Sequence, residues 1–198
     1  MKHLRGFGLF CGFVLFAAAC ASAPTRYYTL SASPAPGAEA AAPCLSVVVG
    51  PVTVPESVDR PQFVLRKSTH EVTIDELNCW ASSLQNQIAG VVARNLEVRL
   101  GTPSVTLSSE GGGNRTGYRV RIDVQRFESV PGDTATLDGI WTVRRTRDEA
   151  TRIGRTTVTE PVQGESYDAL ATAHSRCVDR LSRDIAEAID SLEHRNHP

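Results

Sequence analysis

Past residue 19 the 198-residue chain has no apolar run long enough to cross a bilayer, which takes about 20 consecutive apolar residues. A membrane-spanning helix in the body of the protein is thereby excluded. Charge of one sign is not in excess either, with 21 basic residues against 22 acidic ones. Such a balance gives no broad basic field for nucleic acid. The one glycine-rich stretch, Glu110-Gly111-Gly112-Gly113-Asn114-Arg115-Thr116-Gly117, lacks the Gly-Lys-Ser/Thr ending of a phosphate loop. It reads as a flexible connection before a strand. No Gly-x-Ser-x-Gly nucleophile elbow is present, and no repeat recurs at solenoid spacing.

Metal and acid–base chemistry find little footing. His174 and Cys177 lie one helical turn apart and could share a metal with Cys79, but no paired ligand motif supports convergence. His70, His194 and His197 stand apart, the last two in a terminal tail. Asp123, Asp133, Asp138, Asp148 and Glu149 are scattered over polar strand faces and turns, as on a solvated surface. The expectation is no enzyme, no metal and no cofactor.

What is present begins at the first residue. Lys2 and Arg5 precede an apolar run from Gly6 to Ala19, too short to span comfortably but of the length of an export signal. Ala17-Ala18-Ala19-Cys20 resembles a lipobox, with Ala17 where Leu is usual. Residues 1–19 are therefore expected to be a signal peptide and Cys20 the lipidated first residue of the mature chain. A cut after Ala23 is disfavoured by Pro24. Several acyl chains on one cysteine anchor stably, at about 0.8 kcal/mol for each buried methylene. Ala21, rather than Asp, follows the cysteine, which points to the inner leaflet of a bacterial outer membrane. Without Lys2 and Arg5 the mature part carries 19 basic and 22 acidic residues.

Residues 20–43 are rich in Ala, Ser and Pro and read as a flexible tether, interrupted by Arg26-Tyr27-Tyr28-Thr29-Leu30, a patch able to dock. Residues 44–198 form one domain of ordinary size. Cys44, Cys79 and Cys177 remain in an oxidising compartment, an odd number that allows at most one internal bridge. Spacing does not choose the pair. Cys44 moves with its tether and has the widest choice, so Cys44–Cys79 is the favoured bridge, with Cys177 left as a buried small hydrophobe.

Within the domain, Leu45 to Val49 is a continuous apolar run suited to a covered strand, running into Gly50-Pro51-Val52-Thr53-Val54-Pro55, where two prolines disturb pairing. Gln62 to Arg66 and Glu71 to Ile74 read as short strands. From Trp80, apolar residues recur at helical spacing through Leu84, Ile88, Val91, Val92, Asn95 and Leu96 until Gly101-Thr102-Pro103. Tyr118, Val120, Ile122 and Val124 alternate with Arg119, Arg121 and Asp123, and Phe127 breaks the series at a bulge or strand end. Ala135 to Val143 alternates likewise after a turn at Val130-Pro131-Gly132-Asp133, and a third strand is expected around Ile153 to Thr159. Ser166 to about His194 is a second helix. The order β-β-β-α-β-β-β-α predicts an α+β two-layer sandwich, with both helices on one face of a largely antiparallel sheet.

Several segments, taken in order, resemble the PqiC-type family of ABC-transport auxiliary lipoproteins. They are Tyr27-Tyr28-Thr29-Leu30, Val49-Gly50-Pro51-Val52-Thr53-Val54-Pro55 with Val58-Asp59-Arg60, Asn78-Cys79-Trp80-Ala81-Ser82-Ser83-Leu84, Phe127, Gly139-Ile140-Trp141 and Ser166-Tyr167-Asp168-Ala169. Many members carry Arg before the Trp, where this chain has Cys79. The resemblance implies an outer-membrane accessory of an MCE-type lipid transport system. Its partner would be a periplasmic tunnel of MCE domains, and it would act as several copies. It brings no catalytic residue. Two rivals remain: a lipid-binding module, needing an apolar cavity of about 300–1,000 Å³, and a hydrolase with an unrecognised site.

Overall fold

The computed structural model describes residues 23–33, 45–108 and 117–194. The signal segment, Cys20, Cys44, residues 110–116 of the glycine-rich stretch and His197 lie outside them.

The long strands form where apolar residues alternate. In β6 (Tyr118–Val130), Tyr118, Val120, Ile122 and Val124 are buried while Arg119, Arg121 and Asp123 face water. The register slips between Val124 and Arg126, so the extra residue, Gln125, lets Phe127 resume the inward face. β7 (Thr134–Arg145) follows after the Pro-Gly turn and pairs antiparallel with β6 along its length. β8 (Thr151–Pro161) continues the meander. Gly154 lies opposite Trp141, whose indole passes so close that an added Cβ would meet the ring at 2.1 Å. Only glycine leaves that space.

Two groups of strands share the other edge of β6. β2 (Val47–Thr53) runs parallel to its first half and carries β5 (Val105–Leu107) beyond it. β3 (Gln62–Arg66) meets its second half at Ser129 and carries β4 (Val72–Trp80), with β1 (Arg26–Tyr28) outermost. The sheet therefore forks, and a single 3-10 turn at Glu56–Val58 bridges β2 to β3. α1 (Leu84–Leu100) and α2 (Tyr167–His194) pack on each other, α1 over β2 and β5 and α2 over β7 and β8. Ser83 caps α1 by accepting from Asn86 N–H, and Gly101, at φ 61°, closes it in the left-handed region that glycine adopts freely. Ser166 Oγ accepts from Ala169 N–H at the start of α2.

The fold is the expected α+β sandwich. Its antiparallel meander and hairpin are as the alternation predicts, while the parallel pairings of β2 and β3 with β6, of β5 with β2 and of β1 with β4 make the sheet mixed. One boundary differs. Trp80 ends β4 instead of opening the first helix, which begins at Leu84. The cause is Asp75: its Oδ1 accepts from the N–H groups of Leu77 and Asn78, folding a bulge after which Cys79 pairs with Gln62 again. That bulge interrupts alternation after Ile74 and hides the second half of the strand.

Candidate functional site

The leading segment supplies the most informative site. After β1, Leu30 is buried and the chain crosses the cleft between the two helices, held at each step by a polar side chain. Leu30 N–H donates to Gln87 Oε1 (2.7 Å), Ser31 N–H to Ser175 Oγ (3.0 Å) and Ser33 N–H to Asn95 Oδ1 (3.1 Å). Asn95 also donates from Nδ2 to Ser182 Oγ on α2 (3.2 Å). Gln87 and Asn95 sit on α1, Ser175 and Ser182 on α2. All four are buried, a cost that their hydrogen bonds offset. Residues 26–33 are thus part of the folded domain, inside the stretch expected to be tether, and residues 34–44 lie outside the described ones.

Beneath β1 an aromatic chain runs into the core. Tyr28 meets Phe63 edge-on at 5.5 Å, Phe63 stacks on Trp80 at 4.1 Å, and Trp80 meets Phe127 at 6.1 Å. Phe127 stacks on His174 at 3.9 Å. Tyr167 closes the cluster against Phe63 and donates its hydroxyl to Asp75. That bond is the chief reason the Asp75 carboxyl sits below its ordinary value. The separate motifs from Tyr28, Trp80, Phe127 and Tyr167 thus converge on one structural knot, which fastens the leading strand to the sheet and to α2.

The other residues singled out from sequence fall in defined places. His174 is fully buried, with Nε2 2.8 Å from Ser129 Oγ and Nδ1 without a partner among the described residues. Burial pushes its pKa down to about 3, so the ring is neutral. If Nε2 carries the proton, the unpartnered Nδ1 is a lone pair rather than an N–H. Cys177 points its thiol at Ala135 O (3.4 Å), and burial raises its pKa to about 12, which keeps it an unreactive thiol. Cys79 is buried with Sγ 4.0 Å from Glu76 O, and burial pushes its thiol up as well. Cys79 and Cys177 are not bonded to each other. The Cys44 half of the favoured bridge and the lipidation residue Cys20 lie outside the described residues. Asp138, buried on the outer face, is gripped by Arg155 at 2.7 and 2.5 Å, and Asp148 by Arg145, a buried guanidinium that also donates to Leu192 O at the end of α2; both are structural ion pairs. No group of three His, Cys, Asp or Glu converges for a metal among the described residues.

Among the described residues, two surface depressions flank this architecture. One, of about 440 Å³, lies beside the leading segment and is lined by Ser31, Ser33, Arg176, Asp179, Arg180 and Arg183, whose charges are mutually paired through Glu160, Asp179 and Asp184. The second, about 310 Å³, sits in the fork of the sheet between Pro55, Val58, Val64 and Arg66. Neither is an enclosed apolar cavity.

The family model for the ABC-type transport auxiliary lipoprotein component matches residues 28–186, from the knotted tyrosine of β1 into the last turns of α2. The chain belongs to this family. It is thus a membrane-anchored periplasmic lipoprotein and an auxiliary component of ABC-type transport, a role that works through partner proteins. By fold it is similar to the crystal structure of an uncharacterized protein at 20% identity, covering 84% of this chain and 99% of that one with a TM-score of 0.67. A Xanthomonas campestris protein described by the DUF330 family model is similar at 16% identity, over 87% of this chain and 100% of that one, also with a TM-score of 0.67. A comparison with curated proteins found no match.

Sequence reasoning missed Gln87, Ser175 and Ser182. A signal for the cleft did exist: Asn95 stands inside the apolar stripe of α1 and His174 inside that of α2, where a polar side chain needs a partner.

Proposed function

We propose that this lipoprotein is the outer-membrane docking subunit of an MCE-type intermembrane lipid transport system. It is held in the inner leaflet by acyl chains on Cys20, works as a homo-oligomer and supports membrane integrity. The observation that carries the reading is the fastening of residues 26–33. A lipidated Cys20 stands only six residues before Arg26, so the anchor leads directly into a strand locked to the core by Tyr28 and followed by a segment clamped by three buried polar side chains. A chain built this way transmits position from membrane to domain. A reactive site is not needed for that role. The sorting to the outer membrane rests on Ala21 following the cysteine.

The rival, a carrier that itself holds a lipid, needs an apolar cavity, and the larger depression beside the leading segment is lined with paired charges. The test is affinity isolation of the full chain from detergent-solubilised cell envelopes. The expected result is co-purification of an MCE-domain protein, with native mass spectrometry finding no lipid beyond the covalent acyl chains. Isolation of the acylated chain alone, or with a stoichiometric bound phospholipid, would overturn the docking reading.

A further inference from the structure

Most large apolar side chains left exposed in the described residues crowd one edge of the sheet. Tyr27 is 67% exposed, Val72 50%, Leu77 43% and Ile74 39%, and all four lie on β1 or β4; the remaining one, Ile153, is at the opposite edge. Val72 and Ile74 pair with Arg66 and Val64. These lie on the face turned away from the helices, since Phe63 and Leu65 between them are buried. Tyr27 shares that outer face, because its neighbour Tyr28 packs inward on Phe63.

The path of the chain links this stretch to the membrane. β1 runs parallel to β4 with Arg26 beside Asn78, so the residues before Arg26 arrive from the side of Leu77, Ile74 and Val72. Ala23, Pro24 and Thr25 are exposed there. Six residues reach at most about 20 Å, so an acylated Cys20 stands within that distance of Arg26, at the end of β1 beside this edge. A surface so close to a bilayer, with apolar and tyrosine side chains uncovered, suits the headgroup boundary. Arg26 and Lys67 stand at its two ends, while Glu76 lies on β4 and Glu71 just before it, so the contact is apolar first and electrostatic second.

We propose that the outer face of the β1–β4 edge, carrying Tyr27, Val72 and Ile74 with Leu77 exposed in the bulge beside them, lies against the phospholipid surface that holds the Cys20 acyl chains. The inference rests on the lipidation of Cys20 and adds which face of the domain meets the membrane. It also leaves the β8 edge pointing away, free for protein partners.

Brominated-lipid quenching tests it. The full-length lipidated chain, with Tyr27→Trp, Ile74→Trp or Ile153→Trp, is reconstituted into phosphatidylethanolamine–phosphatidylglycerol vesicles with brominated acyl chains. The chain with its own two tryptophans serves as background. Co-sedimentation reads the anchor and quenching reads the face. The expected result is co-sedimentation of all variants, with the added emission of Y27W and I74W falling at least twofold and that of I153W unchanged. Co-sedimentation with no quenching at Tyr27 and Ile74, or with equal quenching at Ile153, overturns the proposed face and leaves the anchor standing. Failure of the acylated chain to co-sediment overturns the anchor and, with it, the contact.

Discussion

At the scale of single residues, the aromatic knot and the histidine inside it set what the domain can withstand. Trp80 is 4% exposed and stacked on Phe63. Trp80→Ala should destabilise the fold by about 3–5 kcal/mol, read as a large fall in melting temperature. An unchanged melting curve would place the indole outside the core. His174 makes a different prediction. Its pKa lies at about 3 in the fold, below the 6.5 of an ordinary histidine, so between those values the unfolded chain binds a proton that the folded chain refuses. Stability is therefore full above pH 6.5 and is lost as pH falls toward 3, at up to about 1.4 kcal/mol per pH unit from this residue. His174→Gln, which keeps a donor for Ser129, should flatten the dependence between pH 6.5 and 5 in urea unfolding. Equal slopes in the two proteins would mean that the imidazole is not held neutral.

At the scale of elements, the leading strand depends on side chains rather than on length. β1 has three residues, too few to stay paired by its ladder alone. Gln87, Ser175 and Asn95 hold the backbone of Leu30, Ser31 and Ser33 just beyond it. Gln87→Ala should cost about 1–3 kcal/mol, the penalty of leaving the buried Leu30 amide unsatisfied, and Asn95→Ala about 0.5–1.5 kcal/mol, because Ser33 is exposed and water can replace its partner. Together they should abolish hydrogen-exchange protection at the amides of Leu30 and Ser33 while the amides of β6 stay protected. Full protection in the double variant would show that the segment is held some other way. Legibility from sequence divides along the same line. The long alternations of β6 and β7 and the stripes of α1 and α2 are readable because one face of each is buried. The parallel strands β1 and β5 are three residues each, too short for a period, and are fixed only by their neighbours. Likewise, the bulge after Asp75 shifts β4 off its alternation, which is why Trp80 reads as helical.

At the scale of the whole molecule, the tyrosine and tryptophan motifs that carry the family resemblance form a structural knot, whereas the residues that hold the leading segment are spread over two helices at unrelated positions. Family membership was therefore legible in the sequence, and the clamp was not. In the proposed reading, acylation of Cys20, a short lead and a folded domain together make location the function, so location is what must be measured. The most direct measurement separates inner and outer membranes on a density gradient after cross-linking cells that carry the native chain or Cys20→Ser. With the native chain, both it and the MCE-domain protein cross-linked to it should appear in the outer-membrane fraction. With Cys20→Ser, the chain should become soluble in the periplasm and the MCE-domain protein should return to the inner-membrane fraction. The same distribution in both strains would contradict the account.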